Sequence, residues 1–173
     1  LYGENYGLKK DIREIIKSEI KKNDSNVELS SLYEKDITDN EDNFYNSIYS
    51  GSLFGNKKII TIYNGTDKII SQVEDINQKY PENVFIIIFS EILEKKSKLR
   101  NFFETNAKTI CIPCYLDNER DLEIIANKEL KKENVFLSKE SMNLLIEKSN
   151  SDRNNLKNEL EKIKSFSLNK KKI

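Results

Sequence analysis

The residues near the start of the chain come close to a phosphate-binding loop. Such a loop has the pattern G-x-x-x-x-G-K-[ST], in which backbone amides and the lysine hold phosphates and the final hydroxyl holds magnesium. The chain reads Gly3-Glu4-Asn5-Tyr6-Gly7-Leu8-Lys9-Lys10. In register from Gly3, Leu8 takes the place of the second glycine and Lys10 that of Ser or Thr, so Lys9 alone matches. We therefore expect no working phosphate loop.

The second half of an ATPase site is missing as well. Acidic residues after the next strand would hold magnesium and polarise water. The predicted strand Lys58–Tyr63 is followed instead by Asn64 and Gly65. The sequence thus predicts no cofactor and neither binding nor hydrolysis of ATP.

Thiol and metal chemistry have little support. The chain contains no histidine and only two cysteines, Cys111 and Cys114, so one chain cannot build a four-ligand Cys/His zinc site. Their C-x-P-C spacing matches a redox motif, but that motif opens a helix in redox proteins. Here it ends an apolar segment, residues 108–112, that is typical of a buried strand. We interpret the two cysteines as structural; a thiol oxidoreductase remains an alternative.

Composition indicates a soluble cytoplasmic protein without a membrane span. The 173 residues carry 29 basic and 29 acidic side chains, so nucleic acid would have to be contacted locally. No apolar run approaches the roughly 20 residues of a membrane helix, and there is no signal peptide. The basic run from Lys95 to Arg100 lacks interleaved aromatic residues, which favours a solvated first turn of a helix over a single-strand groove.

Strand and helix patterns alternate up to about residue 114. Leu1-Tyr2-Gly3 is expected to be the end of a preceding strand. Helices are predicted at 8–22, from an Asp39 N-cap to Gly51, before Pro81 and around Leu99; strands are predicted at 27–33, 58–63, 84–89 and 109–112. Three helices follow, the last capped by Asp152. This order predicts an α/β fold with a parallel sheet flanked by helices. It is the plan of an AAA+-like domain over 1–115 and a small helical lid domain over 116–173.

One short segment places two large apolar side chains between two glycines. It reads Gly51-Ser52-Leu53-Phe54-Gly55-Asn56-Lys57-Lys58 and runs straight into a strand. Glycine favours a turn or a single helical turn here. Leu53 and Phe54 must then either fill the core or be held out for a partner.

These segments together resemble the delta subunit of bacterial DNA polymerase III, a clamp-loader subunit. Leu1 to Asn5 looks like the family's opening L-Y-G-[DE]. Residues 52–58 look like its S-L-F-G-x-[KR]-[KR] before a strand. Residues 95–99 resemble its K-x-S-K-L helix, and residues 155–162 its lid helix.

The resemblance implies a subunit that binds and opens the beta sliding clamp during DNA replication and is not itself catalytic. Ser52, Leu53 and Phe54 would then be the clamp-binding residues. Some relatives carry an apolar anchor at the position of Gly51, so binding is expected to be weaker or to depend more on Ile48 and Tyr49. The family joins the gamma/tau and delta prime subunits through a collar domain absent from this chain, and would meet primed DNA only indirectly. A divergent AAA+ ATPase, a Cys111/Cys114 oxidoreductase and a purely structural Leu-Phe pair stay open.

Overall fold

The chain folds into two compact units. The structure, a computed structural model, describes residues 1–23, 26–50, 57–79 and 81–167. The first unit comprises residues 1–4 and 9–114, and the second comprises residues 5–8 with those from 115 onward. The AAA+-like and lid assignments, with their boundary at residue 115, remain predictions.

A parallel sheet forms the centre of the first unit. Within the described residues its strands are β1 (Val27–Tyr33), β2 (Lys57–Tyr63) and β3 (Val84–Phe89). They lie in the order β1-β2-β3, and both neighbouring pairs are parallel. The alternation of strand and helix patterns therefore predicted the α/β class correctly.

Helices cover both faces of this sheet. They are α1 (Tyr6–Asn23), α2 (Glu34–Asp39), α3 (Glu41–Tyr49), α4 (Ile70–Lys79) and α5 (Lys98–Thr105), with a 3₁₀ turn at Asp67–Ile69. Ile20 of α1 packs with Ile59 and Ile87 on one face. Ile60 and Ile88 face the cluster that includes residues of α2 to α5. Successive strand side chains point to opposite faces, and β3, with both faces covered, is accordingly apolar throughout.

The second unit is helical. Its main helices are α6 (Glu119–Lys132), α7 (Lys139–Ser149) and α8 (Arg153–Ser167). Their buried apolar side chains form one core: Leu122, Ala126, Leu130, Val135, Met142, Leu145, Ile146, Leu156 and Leu160. The Asp152 carboxylate accepts a bond from the Asn155 amide at 2.9 Å, which confirms it as the cap of α8.

The predicted N-cap of α3 was wrong by one residue. Asp39 ends the short helix α2, which the sequence pattern did not indicate. Asn40 is the cap, and its side-chain oxygen accepts from the Asn43 amide at 3.0 Å. Asn and Asp serve equally well at this position, so only the end of α2 decides between them.

The strand predicted at 109–112 is also absent. Residues 109–112 belong to no strand, and the adjacent Pro113 forms an isolated parallel bridge with Tyr2. A strand is defined by its pairing with a neighbour, and the described chain supplies a neighbour only at Tyr2. The apolar pattern is there, but a partner along most of its length is missing.

No described helix is long and apolar enough to cross a membrane.

Candidate functional site

The predicted clamp-binding residues Ser52, Leu53 and Phe54 lie outside the described residues, as does Gly51. The structure describes the two flanks of this segment. Helix α3 leads into it through Tyr49 and Ser50, and β2 begins directly after it at Lys57.

Lys58 holds these two flanks together. Its side chain is buried, and the ammonium donates to the carbonyl oxygens of Ser47 at 2.8 Å and Ser50 at 3.1 Å. Glu28 on the neighbouring strand lies 3.6 Å from the same nitrogen. The last carbonyls of a helix lack partners within the helix and attract positive charge. The second residue of β2 therefore caps the end of α3.

Tyrosine side chains line the surface next to this tie. The rings of Tyr45 and Tyr49 stack with centroids 6.2 Å apart, and the Lys79 ammonium lies 5.4 Å and 5.9 Å from them. Asp75 pairs with Lys79 at 2.8 Å. Partial burial, and then the nearby Asp75 carboxylate, raise the pKa of Tyr45. The two rings and the Lys79 ammonium therefore form one contact cluster.

Ile48 and Tyr49 have different environments. Ile48 is buried in the main core at 2% exposure, whereas Tyr49 is 44% exposed. Ile48 therefore packs inside the unit. Of these two expected contributors to clamp binding, only Tyr49 lies at the surface.

In the region that corresponds to a phosphate loop, the lysine is bonded to carbonyl groups of the protein itself. Lys9 is 1% exposed, and its ammonium donates to the carbonyl oxygens of Gly3 at 2.8 Å and Ser90 at 2.9 Å. Glu91 lies 3.7 Å away. Gly3 has φ of +122°, and a Cβ there would stand 2.3 Å from the Cys114 carbonyl oxygen. Gly3 therefore packs directly against the Cys114 backbone, and its carbonyl is bonded by Lys9.

The turn after β2 has a structural role. Asn64 adopts a left-handed φ of 60°. A Cβ on Gly65 would lie 2.4 Å from the Ile88 side chain, and the Gly65 amide donates to the Phe89 carbonyl oxygen at 3.0 Å. This close approach to β3 requires glycine.

Asp67, the first acidic residue after the turn, caps α5. Its carboxylate accepts from the Ser97 hydroxyl at 2.6 Å and from the Leu99 amide at 2.9 Å. These two bonds, the hydroxyl first, lower the pKa of Asp67. Ser97 itself accepts from the Arg100 amide. The K-x-S-K-L segment thus serves as a helix start.

The two cysteines have no redox surroundings. Both are free thiols, and Cys114 is fully buried. Burial raises the pKa of Cys111, whereas a reactive thiol needs a lowered pKa. The next helix begins only at Glu119. The oxidoreductase alternative is not favoured.

A buried polar network in the second unit was not foreseen. Asn5 donates to Asp117 at 2.8 Å and to the Tyr115 carbonyl at 3.0 Å, and it accepts from the Leu8 amide at 2.9 Å. Arg153 holds both carboxylate oxygens of Asp117. Asp117 is buried, at 7% exposure. The bonds that bury it come from residues far along the chain.

Among the described residues, no cluster of His, Cys, Asp or Glu could hold a metal ion.

The fold and this region define a class of protein: a parallel α/β unit in which the lysine at the phosphate-loop position donates to backbone carbonyls of other residues in the unit. Residues 1–114 match the family model described as DNA polymerase III, delta subunit. The chain belongs to that family.

A solved structure supports the fold. The chain is similar to the Bacillus subtilis DNA clamp loader delta protein (YqeN), with a TM-score of 0.63 and 16% sequence identity. The likeness covers 99% of this chain and 54% of that protein, so the chain spans about half of its relative's length. No curated protein matches the chain.

Proposed function

We propose that this chain is the part of a clamp-loader delta subunit that binds and opens the beta sliding clamp, without catalysing a reaction itself. The observation that carries the proposal is the family match over residues 1–114. The engaged Lys9 supports it, because a phosphate would have to displace two backbone carbonyls and face Glu91. In this proposal the first unit is AAA+-like and the helical unit is its lid.

The clamp contact is the segment Ser52-Leu53-Phe54. The hydrogen bonds of Lys58 support this placement, since they join the start of β2 to the end of α3, the two elements that flank the segment. Tyr49 gives an exposed aromatic surface next to it. Tyrosine and other large side chains in buried interface pockets commonly cost about 2 kcal/mol or more when truncated.

Opening of the clamp is mechanical in this account. A ligand shifts an equilibrium only by its differential affinity for the two states. The Leu-Phe pair would bind best to a clamp conformation whose subunit interface is weakened. No bond is made or broken, so no catalytic residue, cofactor or metal is required.

The remaining partners are proposed from the family alone. The gamma/tau and delta prime subunits would bind through the family's collar domain, and primed DNA would be met indirectly. No exposed feature of the described residues is assigned to any of them.

Replacing the Leu-Phe pair tests the proposal. We expect Leu53→Ala with Phe54→Ala to weaken binding to the clamp by roughly tenfold or more, since a factor of ten corresponds to only about 1.4 kcal/mol. The melting temperature should stay within about 2 °C, because surface substitutions away from special features change stability little. Calorimetric titration with the purified clamp and a thermal melt give the two readouts.

A matched control comes from another adjacent apolar pair. Tyr115 and Leu116 are 55% and 58% exposed, and their replacement by alanine should leave clamp affinity unchanged. A collapse of stability in the Leu53/Phe54 variant would show that the pair belongs to the core. An equal loss of clamp affinity in the Leu53/Phe54 and Tyr115/Leu116 variants would contradict the assignment of the clamp contact to Leu53 and Phe54.

A further inference from the structure

The turn after β2 carries the one Asn-Gly pair of the sequence, Asn64-Gly65. Such pairs lose ammonia spontaneously, because glycine has no side chain to shield its nitrogen from the neighbouring carboxamide. Asn64 is exposed and has a left-handed φ of 60°, whereas Gly65 is buried. The reactive carboxamide therefore belongs to an exposed residue, and the nitrogen that attacks it belongs to a buried one.

The chemistry at this pair needs no reagent other than water. The Gly65 nitrogen gives up its proton and attacks the side-chain carbonyl carbon of Asn64. A bond forms between these two atoms, the bond from that carbon to the side-chain nitrogen breaks, and ammonia leaves with the proton. Water then opens the resulting succinimide at either carbonyl. The products are aspartate and isoaspartate at position 64, and each adds a negative charge.

The folded turn blocks the first of these steps. The Gly65 amide donates to the Phe89 carbonyl oxygen at 3.0 Å, which is an ordinary hydrogen-bond length. In the succinimide, the side-chain carbon of Asn64 occupies the position of the amide hydrogen, and there it would overlap the Phe89 oxygen. Ring closure and this hydrogen bond therefore exclude each other.

Neighbouring contacts hold the hydrogen bond in place. A Cβ on Gly65 would lie 2.4 Å from the Ile88 side chain, so little free space surrounds the glycine. The Thr66 amide and hydroxyl both donate to the Glu34 carboxylate, at 2.6 Å and 2.5 Å. Glu34 is the first residue of α2, and its side chain is only 13% exposed. The turn is thus bonded to β3 at Gly65 and to α2 at Thr66.

We propose that Asn64-Gly65 is a spontaneous modification site gated by local opening of this turn. Only molecules in which the Gly65 amide has separated from Phe89 form the succinimide. Isoaspartate inserts an additional methylene into the backbone, so a modified turn no longer aligns its amide with the Phe89 oxygen. The proposal does not depend on clamp binding.

Two rates measured at this pair in the wild-type chain test the gate. Peptide mapping follows deamidation at position 64 in a mildly alkaline buffer, for the folded chain and for the chain in concentrated urea. We expect the folded chain to react at least about tenfold more slowly, because the reaction waits for local opening. Hydrogen exchange of the Gly65 amide should be slowed by the same factor to within about threefold, since it needs the same opening. Isoaspartate should be among the products.

A variant that loosens the turn sharpens the test. Glu34→Ala removes the acceptor for Thr66, and it should speed Gly65 exchange and Asn64 deamidation by one common factor of about three or more. Lys35→Ala is the matched control, because Lys35 is exposed on the same helix; it should change neither rate. Circular dichroism checks that both variants are folded.

The wild-type comparison decides the proposal even if a variant fails to fold. Equal deamidation rates in the folded and unfolded wild-type chain would overturn it. So would a slowing of deamidation that departs from the slowing of Gly65 exchange, or formation of aspartate without isoaspartate, which indicates direct hydrolysis of the carboxamide.

Discussion

Two buried lysines of the first unit make the same kinds of bond but have different structural roles. Lys9 and Lys58 are 1% and 4% exposed, and each ammonium donates to two backbone carbonyls with one glutamate nearby. The carbonyls that accept from Lys9 belong to Gly3 and Ser90, where a phosphate loop would bind its ligand. The carbonyls that accept from Lys58 lie at the end of α3. Lys9 therefore occupies the position of a phosphate site, whereas Lys58 fixes the two flanks of the proposed clamp-binding segment.

The comparison teaches that a lysine matching a motif reports function only through its partners. A phosphate-binding lysine must reach the phosphates, and the Lys9 ammonium is directed at the Gly3 and Ser90 carbonyls instead. Lys58 matches no catalytic motif, yet it sits beside the segment proposed to bind the clamp.

Removing the Lys9 ammonium should produce the largest effect. Lys9→Met removes the ammonium that donates to the buried Gly3 and Ser90 carbonyls, and we expect a loss of about 2–3 kcal/mol of unfolding free energy. Urea denaturation measures it. Lys22→Met is the control on the same helix, where the lysine is 67% exposed and pairs with Glu19; its cost should stay below about 1 kcal/mol. Equal costs would mean that Lys9 is not a structural centre.

Removing the Lys58 ammonium should cost less stability but should also affect binding. Lys58→Met is expected to lose about 1–2 kcal/mol and to weaken clamp binding about threefold or more, because the end of α3 loses its tie to β2. Lys57→Met, one residue earlier, serves as the control. If Lys58→Met destabilises the protein while clamp affinity stays intact, the tie has no part in presenting the segment.

Asp67 extends the comparison to an exposed cap. Hydrogen bonds from Ser97 and Leu99 lower its pKa, so its contribution is present above the unfolded pKa near 3.8 and is lost as pH falls through the folded value. Asp67→Asn should therefore cost less than about 1 kcal/mol near neutral pH, since the residue is exposed. The difference from wild type should shrink as the pH falls below the unfolded value near 3.8. Denaturation at several pH values checks this, and a difference that grows in acid would contradict it.

The sequence predicted β1 from the alternation over Val27–Tyr33, and β2 and β3 from apolar segments, of which that of β3 is typical of a strand covered on both faces. It failed at residues 109–112, since a strand also needs a neighbour that the described chain supplies only at Tyr2. The Asn5–Asp117–Arg153 network was out of reach for another reason. Asn5 and Asp117 are 112 positions apart, and no local pattern marks such a pair. The Lys9 bonds were missed in the same way, although its failed motif was visible.

The most direct test of the central claim is a pair of titrations on one sample of the wild-type chain. The account predicts that the purified sliding clamp binds saturably in the calorimeter and that Mg-ATP does not change its affinity. Titration with Mg-ATP alone should give no heat of specific binding. Micromolar affinity for Mg-ATP, or no binding of the clamp by a folded sample, would contradict it.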